Sequence, residues 1–135
     1  MCDDPRYANL QGKFEIDFWG RITMSPANNF HSMLQSRLSQ RVLPLPGQAF
    51  VEASILMRLG LTVADVAWAS AERMRLHGTE TPFTQVPDLC IEIATPSNSR
   101  NELRGKMDAY PAAGAKEAWI AFPRTKRFEF YGPTG

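Results

Sequence analysis

Residues 61–70, LTVADVAWAS, decide the fold, because this run carries a single charge, Asp65, among mostly apolar residues. Such a continuous apolar run predicts a strand that is buried on both faces. Residues 88–94, DLCIEIA, repeat the pattern around Glu92. A buried carboxylate is costly unless it is paired or binds a metal. Two acids in two buried strands therefore indicate a polar site within a sheet.

The segments on either side of these strands predict the order β-β-α-β-β-(α)-β-α-β-β. The hairpin turns at Gly20, and the last two strands are joined by the turn PRTK. A mixed sheet with helices against it follows, which is an α/β (α+β) class. The predicted flanking elements are a hairpin at 14–24, a helix at 25–43, a strand at 50–59, a short helix at 70–78, a helix at 97–110, and strands at 117–122 and 127–131.

The predicted first helix has one apolar face and can be capped by Asn28 or Asn29. Its expected outward residues are Ser32, Gln35, Arg37 and Gln40. The three tryptophans, Trp19, Trp68 and Trp119, are predicted to pack in the core or on the sheet. The residues expected to face inward on this helix are Phe30, Met33, Leu34, Leu38 and Val42.

Length and composition fit one domain spanning residues 1–135, with residues 1–12 peripheral. The N-terminus is too polar for a signal peptide, and no apolar run approaches the ~20 residues that span a bilayer. We therefore expect a cytoplasmic protein. The two cysteines, Cys2 and Cys90, form neither a zinc spacing nor a disulfide framework. The net charge of +1 leaves nucleic-acid binding to local patches.

Asp65 is a better partner for Glu92 than Asp88 is. Four residues of strand separate Asp88 and Glu92 by ~13 Å, too far for one cation bound at ~2.0–2.6 Å. Neighbouring strands lie only ~4.8 Å apart, so Asp65 can converge with Glu92 if their strands are adjacent. Lys106, at the edge of the packed face of helix 97–110, can reach that place. The alternative is that the acids are satisfied by Arg or backbone N–H groups, that Lys106 is a surface residue and that His31 only caps or packs.

An ordered set of segments resembles the Uma-two family of restriction-endonuclease-like proteins, within the PD-(D/E)XK nuclease superfamily. The segments are FEIDFWGRITMSP followed by His31, then VADVAWAS, PDLCIEIATPSNS and LRGKMDAYPAAGAKEAWI. The resemblance covers residues 14–131 and implies a mixed sheet flanked by helices and Mg²⁺-dependent hydrolysis of DNA, with Mn²⁺ as a substitute.

The resemblance also implies roles for individual residues. Asp65 matches the Asp of the PD motif and Glu92 the next acid. In the superfamily pattern Lys stands two residues after that acid, but here this position is Ala94, and Lys106 matches a Lys supplied by the following helix. Glu15 and His31 match further family positions.

The mechanism that the resemblance implies has Asp65, Glu92 and the carbonyl of Ile93 holding one Mg²⁺, with waters completing the shell. Lys106 would orient the attacking water or neutralise charge in the transition state. Glu15 would act from outside the ligand set. Five basic residues are candidates for gripping phosphates: Arg100, Arg104, Arg124, Lys126 and Arg127.

The chain departs from the family at two places. Ala64 stands where the motif has Pro, which should not harm the chemistry because the acid binds the metal. The chain stops at Gly135 while family members run longer, and a missing final segment would expose a sheet edge or favour a homodimer. Short length, a nearly neutral charge and the missing Lys within the strand leave other functions open. A nuclease-fold module that binds nucleic acid or assembles without cleaving is one alternative. A mobile-element or defence accessory protein that is active only with a partner is another.

Overall fold

The computed structural model describes residues 13–25, 28–42, 44–58, 60–78 and 80–132. The elements follow the predicted order. The expectation that residues 1–12 are peripheral, and any placement of Cys2, lie outside the described residues. The elements are β1 (Lys13–Asp17), β2 (Ile22–Ser25), α1 (Asn29–Val42), β3 (Gly47–Met57), β4 (Gly60–Ser70), α2 (Ala71–His77), β5 (Leu89–Ile93), α3 (Arg100–Ala112), β6 (Glu117–Phe122) and β7 (Arg127–Tyr131).

The strands form one seven-stranded sheet in the order β2-β1-β4-β5-β6-β7, with β3 also paired to β4. β5 and β6 are parallel, and α3 connects them, as a parallel pair requires a crossover. The other pairs are antiparallel. The predicted mixed sheet is therefore confirmed, while pairing of an exposed edge with a second chain stays a prediction.

β4 has one edge that is paired almost throughout and one edge that opens. β3 pairs with β4 from Met57 opposite Gly60 to Gly47 opposite Ser70, with one break in the ladder at Glu52 and Asp65. β1 and β5 must therefore share the other edge. Within the described part of the chain, β1 pairs there only at residues 60–61 and β5 only at residues 66–68. Residues 62–65 of β4 lie between the two ladders, so the sheet opens at this point.

Helices pack against both faces of the sheet. On one face, Met107 and Tyr110 of α3 join a buried cluster with Cys90. On the other, Val42 of α1 packs with Ile91. Cys90 and Ile91 are consecutive residues of one strand, whose side chains point to opposite faces. The two clusters therefore lie on either side of the sheet. No helix among the described residues is long and apolar enough to cross a membrane.

The predicted faces of α1 were partly wrong. Gln35, expected outside, is 4% exposed, whereas Phe30 and Met33 are 58% and 39% exposed. Gln35 is buried because its side-chain amide donates a hydrogen bond to the Asp65 carbonyl of β4. This polar contact outweighs the apolar pattern of the helix. Val42 is buried as expected.

Two predictions about strand residues also fail. Trp19 was expected to pack in the core, but it is 74% exposed because it lies in the β1–β2 turn. The alternation of apolar and polar residues in the predicted strand 50–59 places Val51 on the same side as Ala53, but Val51 is exposed and Ala53 is buried. Its neighbour Glu52 has a φ of 55°, which breaks the two-residue alternation of the strand.

Candidate functional site

The two predicted acids lie on neighbouring strands at the opening of the sheet. Asp65 and Glu92 are 1% and 2% exposed. The β4–β5 ladder ends with Val66 opposite Ile91, and one further step of this register sets Asp65 opposite Glu92. Asp65 Oδ2 accepts the N–H of Ile93 at 2.7 Å. The carboxylate thus satisfies a backbone donor that lies beyond the end of the strand ladder.

Glu15 performs the same task from β1. Its Oε2 accepts the N–H of Val63 at 2.9 Å, in the unpaired stretch of β4. The open edge of β4 is thus bounded by Glu15 on the β1 side and by Asp65 on the β5 side. In a regular sheet, these backbone N–H groups would be bonded by carbonyls of the neighbouring strand. Here two carboxylates accept them instead and bring negative charge into the sheet.

Lys106 links the acids from α3. Its Nζ lies 2.8 and 3.1 Å from the two carboxylate oxygens of Glu15 and 3.1 Å from Glu92 Oε1. The Lys106 side chain is 21% exposed, so the ion pair is largely shielded from water. Three carboxylates, those of Glu15, Asp65 and Glu92, against one ammonium leave a formal charge of −2 when all are ionised. The cluster can therefore attract a cation.

Tyr110 holds Glu92 from one helical turn beyond Lys106. Its hydroxyl donates to Glu92 Oε1 at 2.8 Å, and the side chain is fully buried. Burial, and next the Glu92 charge, raise the pKa of the Tyr110 hydroxyl well above 10. Tyr110 therefore remains a donor near neutral pH. In the sequence, the i, i+4, i+7 spacing of Leu103, Met107 and Tyr110 predicts only a packing role for Tyr110.

α1 contacts Asp65 through two residues one turn apart. His31 Nε2 lies 3.5 Å from Asp65 Oδ1, and Gln35 Nε2 donates to the Asp65 carbonyl at 3.3 Å. Asn28 Oδ1 accepts the His31 N–H at 3.1 Å and so begins the helix as a cap. The sequence prediction missed Gln35, and its i+4 spacing from His31 is the signal that could have identified it.

The oxygen-rich cluster fits a hard cation. Among the residues that the structure describes, no three His, Cys, Asp or Glu side chains form a preassembled metal cage. Mg²⁺ does not need such a cage, because proteins usually hold it through one or two carboxylates and several waters. Asp65 and Glu92 can supply those carboxylates. Ile93, the last residue of β5, donates its N–H to Asp65. The carbonyl that was predicted to bind the metal belongs to this same residue.

Asp88 belongs to a separate structural junction, directly before the first residue of β5. It accepts the N–H of Ser70 at 2.8 Å and lies 3.8 Å from Arg73 and 3.4 Å from Lys116. Burial opposes ionisation of this carboxyl, but the Ser70 N–H and the Arg73 charge outweigh it and lower its pKa. Asp88 therefore joins β4, α2 and β6 and takes no part in the cluster.

The candidate phosphate-gripping residues divide into two groups near the amino end of α3. Arg100 and Arg104 line a cavity of about 110 Å³ together with Glu129 and Tyr131. Both arginines are exposed. The other group, Arg124, Lys126 and Arg127, lies at the exposed turn between β6 and β7.

A mixed sheet that opens around a buried cluster of acids and one Lys, with helices on both faces, defines a fold of the restriction-endonuclease-like class. The chain belongs to the Uma2 family, described as "Putative restriction endonuclease", whose family model matches residues 4–135. The family resemblance inferred from the sequence is thereby confirmed.

A solved structure has the same fold. It is a "putative nuclease belonging to DUF820" from Anabaena variabilis, with a TM-score of 0.78 and 21% sequence identity, covering 96% of this chain and 78% of the other. At this identity the likeness shows the fold. No curated protein matches the sequence.

Proposed function

We propose that the protein is a metal-dependent nuclease that hydrolyses phosphodiester bonds in DNA, with Asp65, Glu92 and Lys106 as its catalytic residues. The observation that carries the proposal is the convergence of these three side chains, from β4, β5 and α3, at the opening of the sheet. Membership of a family described as a restriction endonuclease supports the same reaction class.

Asp65, Glu92 and the carbonyl of Ile93 would hold Mg²⁺, or Mn²⁺ in its place. When bound, such an ion polarises a phosphoryl oxygen and lowers the pKa of a coordinated water. Asp65 has its Oδ2 on the Ile93 N–H, which holds the carboxylate and the end of β5 in one geometry. Prior positioning of this kind avoids reorganisation during the reaction.

Lys106 would stabilise the negative charge that develops on the phosphoryl group, and it would orient the attacking water. Its ammonium lies 3.1 Å from Glu92, so it is already beside the proposed ligand. In a shielded site such a charge acts more strongly than in water. Glu15 holds the ammonium in place from the other side at 2.8 Å. His31 would play a supporting part through its contact with Asp65.

Substrate phosphates would lie across the amino end of α3. Arg100 and Arg104 lie on the helix that carries Lys106, and both are exposed. The turn between β6 and β7 adds Arg124 and Lys126, and Arg127 follows as the first residue of β7. Since the whole chain has a net charge of only +1, these local groups would supply the attraction for the backbone.

Cleavage assays with matched variants test this proposal. Purified protein is incubated with plasmid and linear DNA in Mg²⁺, in Mn²⁺ and in EDTA. We expect Glu92→Gln and Asp65→Asn to abolish cleavage and Lys106→Ala to slow it by about 10²–10³-fold. Glu52→Gln, at an exposed acid, is the control and should cleave normally. No cleavage by the wild type in either metal at low salt would overturn the proposal.

A second candidate is a nuclease-fold module that binds nucleic acid without cleaving it. One observation favours it: Lys106 already pairs with both Glu15 and Glu92, as it would in a purely structural cluster. In that case DNA binding would be the same with Mg²⁺ and with EDTA. The variants Glu92→Gln and Asp65→Asn would then lose thermal stability but no activity, because there would be none to lose.

A further inference from the structure

The turn between β1 and β2 presents two large aromatic rings to solvent. Phe18 and Trp19 are 70% and 74% exposed, and their rings meet edge to face at 5.6 Å. The guanidinium of Arg21 lies 5.1 Å from the Trp19 ring centroid. An exposed aromatic pair at the tip of a hairpin gains no stability from burial. Its two rings are therefore accessible to a ligand.

The turn itself is firmly built. Asp17 Oδ1 accepts the N–H of Trp19 at 3.0 Å and that of Arg21 at 2.8 Å. The Arg21 side chain returns to Asp17 Oδ2 at 2.8 Å. Gly20, with a φ of 82°, takes the left-handed conformation that the turn requires. These bonds hold the rings in a defined place.

That place lies at the end of the strand that carries Glu15. Glu15, which contacts Lys106, lies two residues before Asp17 on β1, or ~7 Å along the strand at ~3.3 Å per residue. Asp17 pairs with Gly60 of β4, and Asp65 follows Gly60 by five residues, or ~17 Å. The aromatic turn, which follows Asp17, is thus at least ~17 Å from Asp65 along the sheet, or about five base steps of ~3.4 Å.

The exposed area suits a nucleobase better than a protein partner. Each aromatic side chain offers ~150–250 Å², so two rings that are about three-quarters exposed present ~300 Å². A stable protein interface buries ~800 Å² on each partner. One or two bases, by contrast, stack on surfaces of this size, and Arg adds a cation–π contribution.

We propose that Phe18 and Trp19 form a stacking platform for unpaired bases of the substrate strand, about five base steps from the cleavage site. The preferred substrate is then single-stranded DNA, or a duplex with locally unpaired bases. The inference rests on the proposed nuclease function for the identity of the ligand, but not for its binding test. Continuity of the turn with β1, and so with Glu15, connects the platform to the catalytic cluster.

Fluorescence anisotropy with a labelled oligothymidylate in EDTA tests the platform without cleavage. The variants are Trp19→Ala and Trp19→Phe, with Leu76→Ala as the control, since Leu76 is 66% exposed on α2 and carries no aromatic ring. A stack worth ~1–3 kcal/mol predicts that Trp19→Ala raises Kd about 5- to 150-fold. We expect a smaller rise for Trp19→Phe and none for the control. Circular dichroism checks that each variant is folded.

An abasic oligonucleotide of equal length separates stacking from backbone contacts. Wild type and Trp19→Ala should bind it equally, because it offers no base to stack. Equal binding of the two proteins to oligothymidylate, or equal losses on both oligonucleotides, would overturn the platform. If the wild type cleaves DNA yet shows no Trp19 effect, only this inference fails. If it shows the Trp19 effect but never cleaves, the platform is supported and the nuclease proposal fails.

Discussion

Replacing Tyr110 by Phe removes one hydroxyl from the buried cluster and leaves the ring in place. The hydroxyl donates to Glu92 Oε1 at 2.8 Å, and both side chains are almost fully buried. A hydrogen bond to a charged group contributes ~1.5–3 kcal/mol. We therefore expect Tyr110→Phe to lower the free energy of unfolding by that amount. At ~4 °C for each kcal/mol in a chain of this size, Tm should fall by ~6–12 °C.

The matched control is Tyr131→Phe. Tyr131 donates to Glu129 Oε1 at the same distance, 2.8 Å, but at a half-buried surface site. Loss of that bond should cost less than ~0.5 kcal/mol, because water can replace the donor. Urea unfolding followed by circular dichroism at pH 7 measures both variants. The two hydrogen bonds have the same donor, acceptor and distance. The difference between the two variants therefore measures the effect of burial on the strength of the bond.

Adding Glu92→Gln completes a double-mutant cycle. If Tyr110 acts by stabilising the Glu92 charge, Tyr110→Phe should cost less in the Glu92→Gln background than in the wild type. Equal losses for Tyr110→Phe and Tyr131→Phe would refute the argument that burial strengthens this bond. Strict additivity in the cycle would refute the charge-assisted contact itself.

Three other predictions concern stability. Burial raises the pKa of Cys90 and of Tyr110 well above their ordinary values of 9.0 and 10.0, so the unfolded chain releases these protons first. The free energy of unfolding should therefore decrease as the pH rises above 9. Cys90→Ala and Tyr110→Phe should each make this decrease smaller, as measured by urea unfolding at several pH values. Because the pKa of Asp88 is lowered from its ordinary value of 3.8, the Asp88 carboxylate stabilises the folded chain above pH 3.8. This contribution to the free energy of unfolding is lost as the pH falls further. Asp88→Asn should thus cost ~1.5–3 kcal/mol at pH 7, with the difference from wild type shrinking in acid; a constant difference would contradict this. Gln35→Met removes the donor to the Asp65 carbonyl and should cost ~1 kcal/mol, whereas Gln40→Met, at an exposed position of the same helix, should be neutral by thermal melting.

Local patterns predicted much of this fold. Gly20 predicted the first turn, and the continuous apolar runs around Asp65 and Glu92 predicted two buried strands. Each signal is a property of adjacent residues, namely turn conformation or the spacing of apolar side chains. The order of elements and the mixed α/β class follow from such signals alone.

The faces of these elements were less predictable. Gln35 and Trp19 were assigned to the wrong environments, because the apolar pattern says which side chains favour burial but not what they meet. A buried glutamine is stable only where an acceptor such as a backbone carbonyl is placed to receive its hydrogen bond. An exposed tryptophan occurs where the chain turns away from the sheet. Both facts depend on the positions of other elements.

The sequence by itself determined which charged groups enter the sheet. Asp65 and Glu92 interrupt apolar strands, and Lys106 lies at the edge of an apolar helix face. Only the tertiary structure decided that β1 and β5 share one edge of β4 and leave residues 62–65 open between them. Pairing of strands distant along the chain depends on backbone hydrogen bonds, which are the same for every residue and leave no mark in the sequence. For that reason the contact between Glu15 and Lys106, 91 residues apart, becomes visible only in the folded chain.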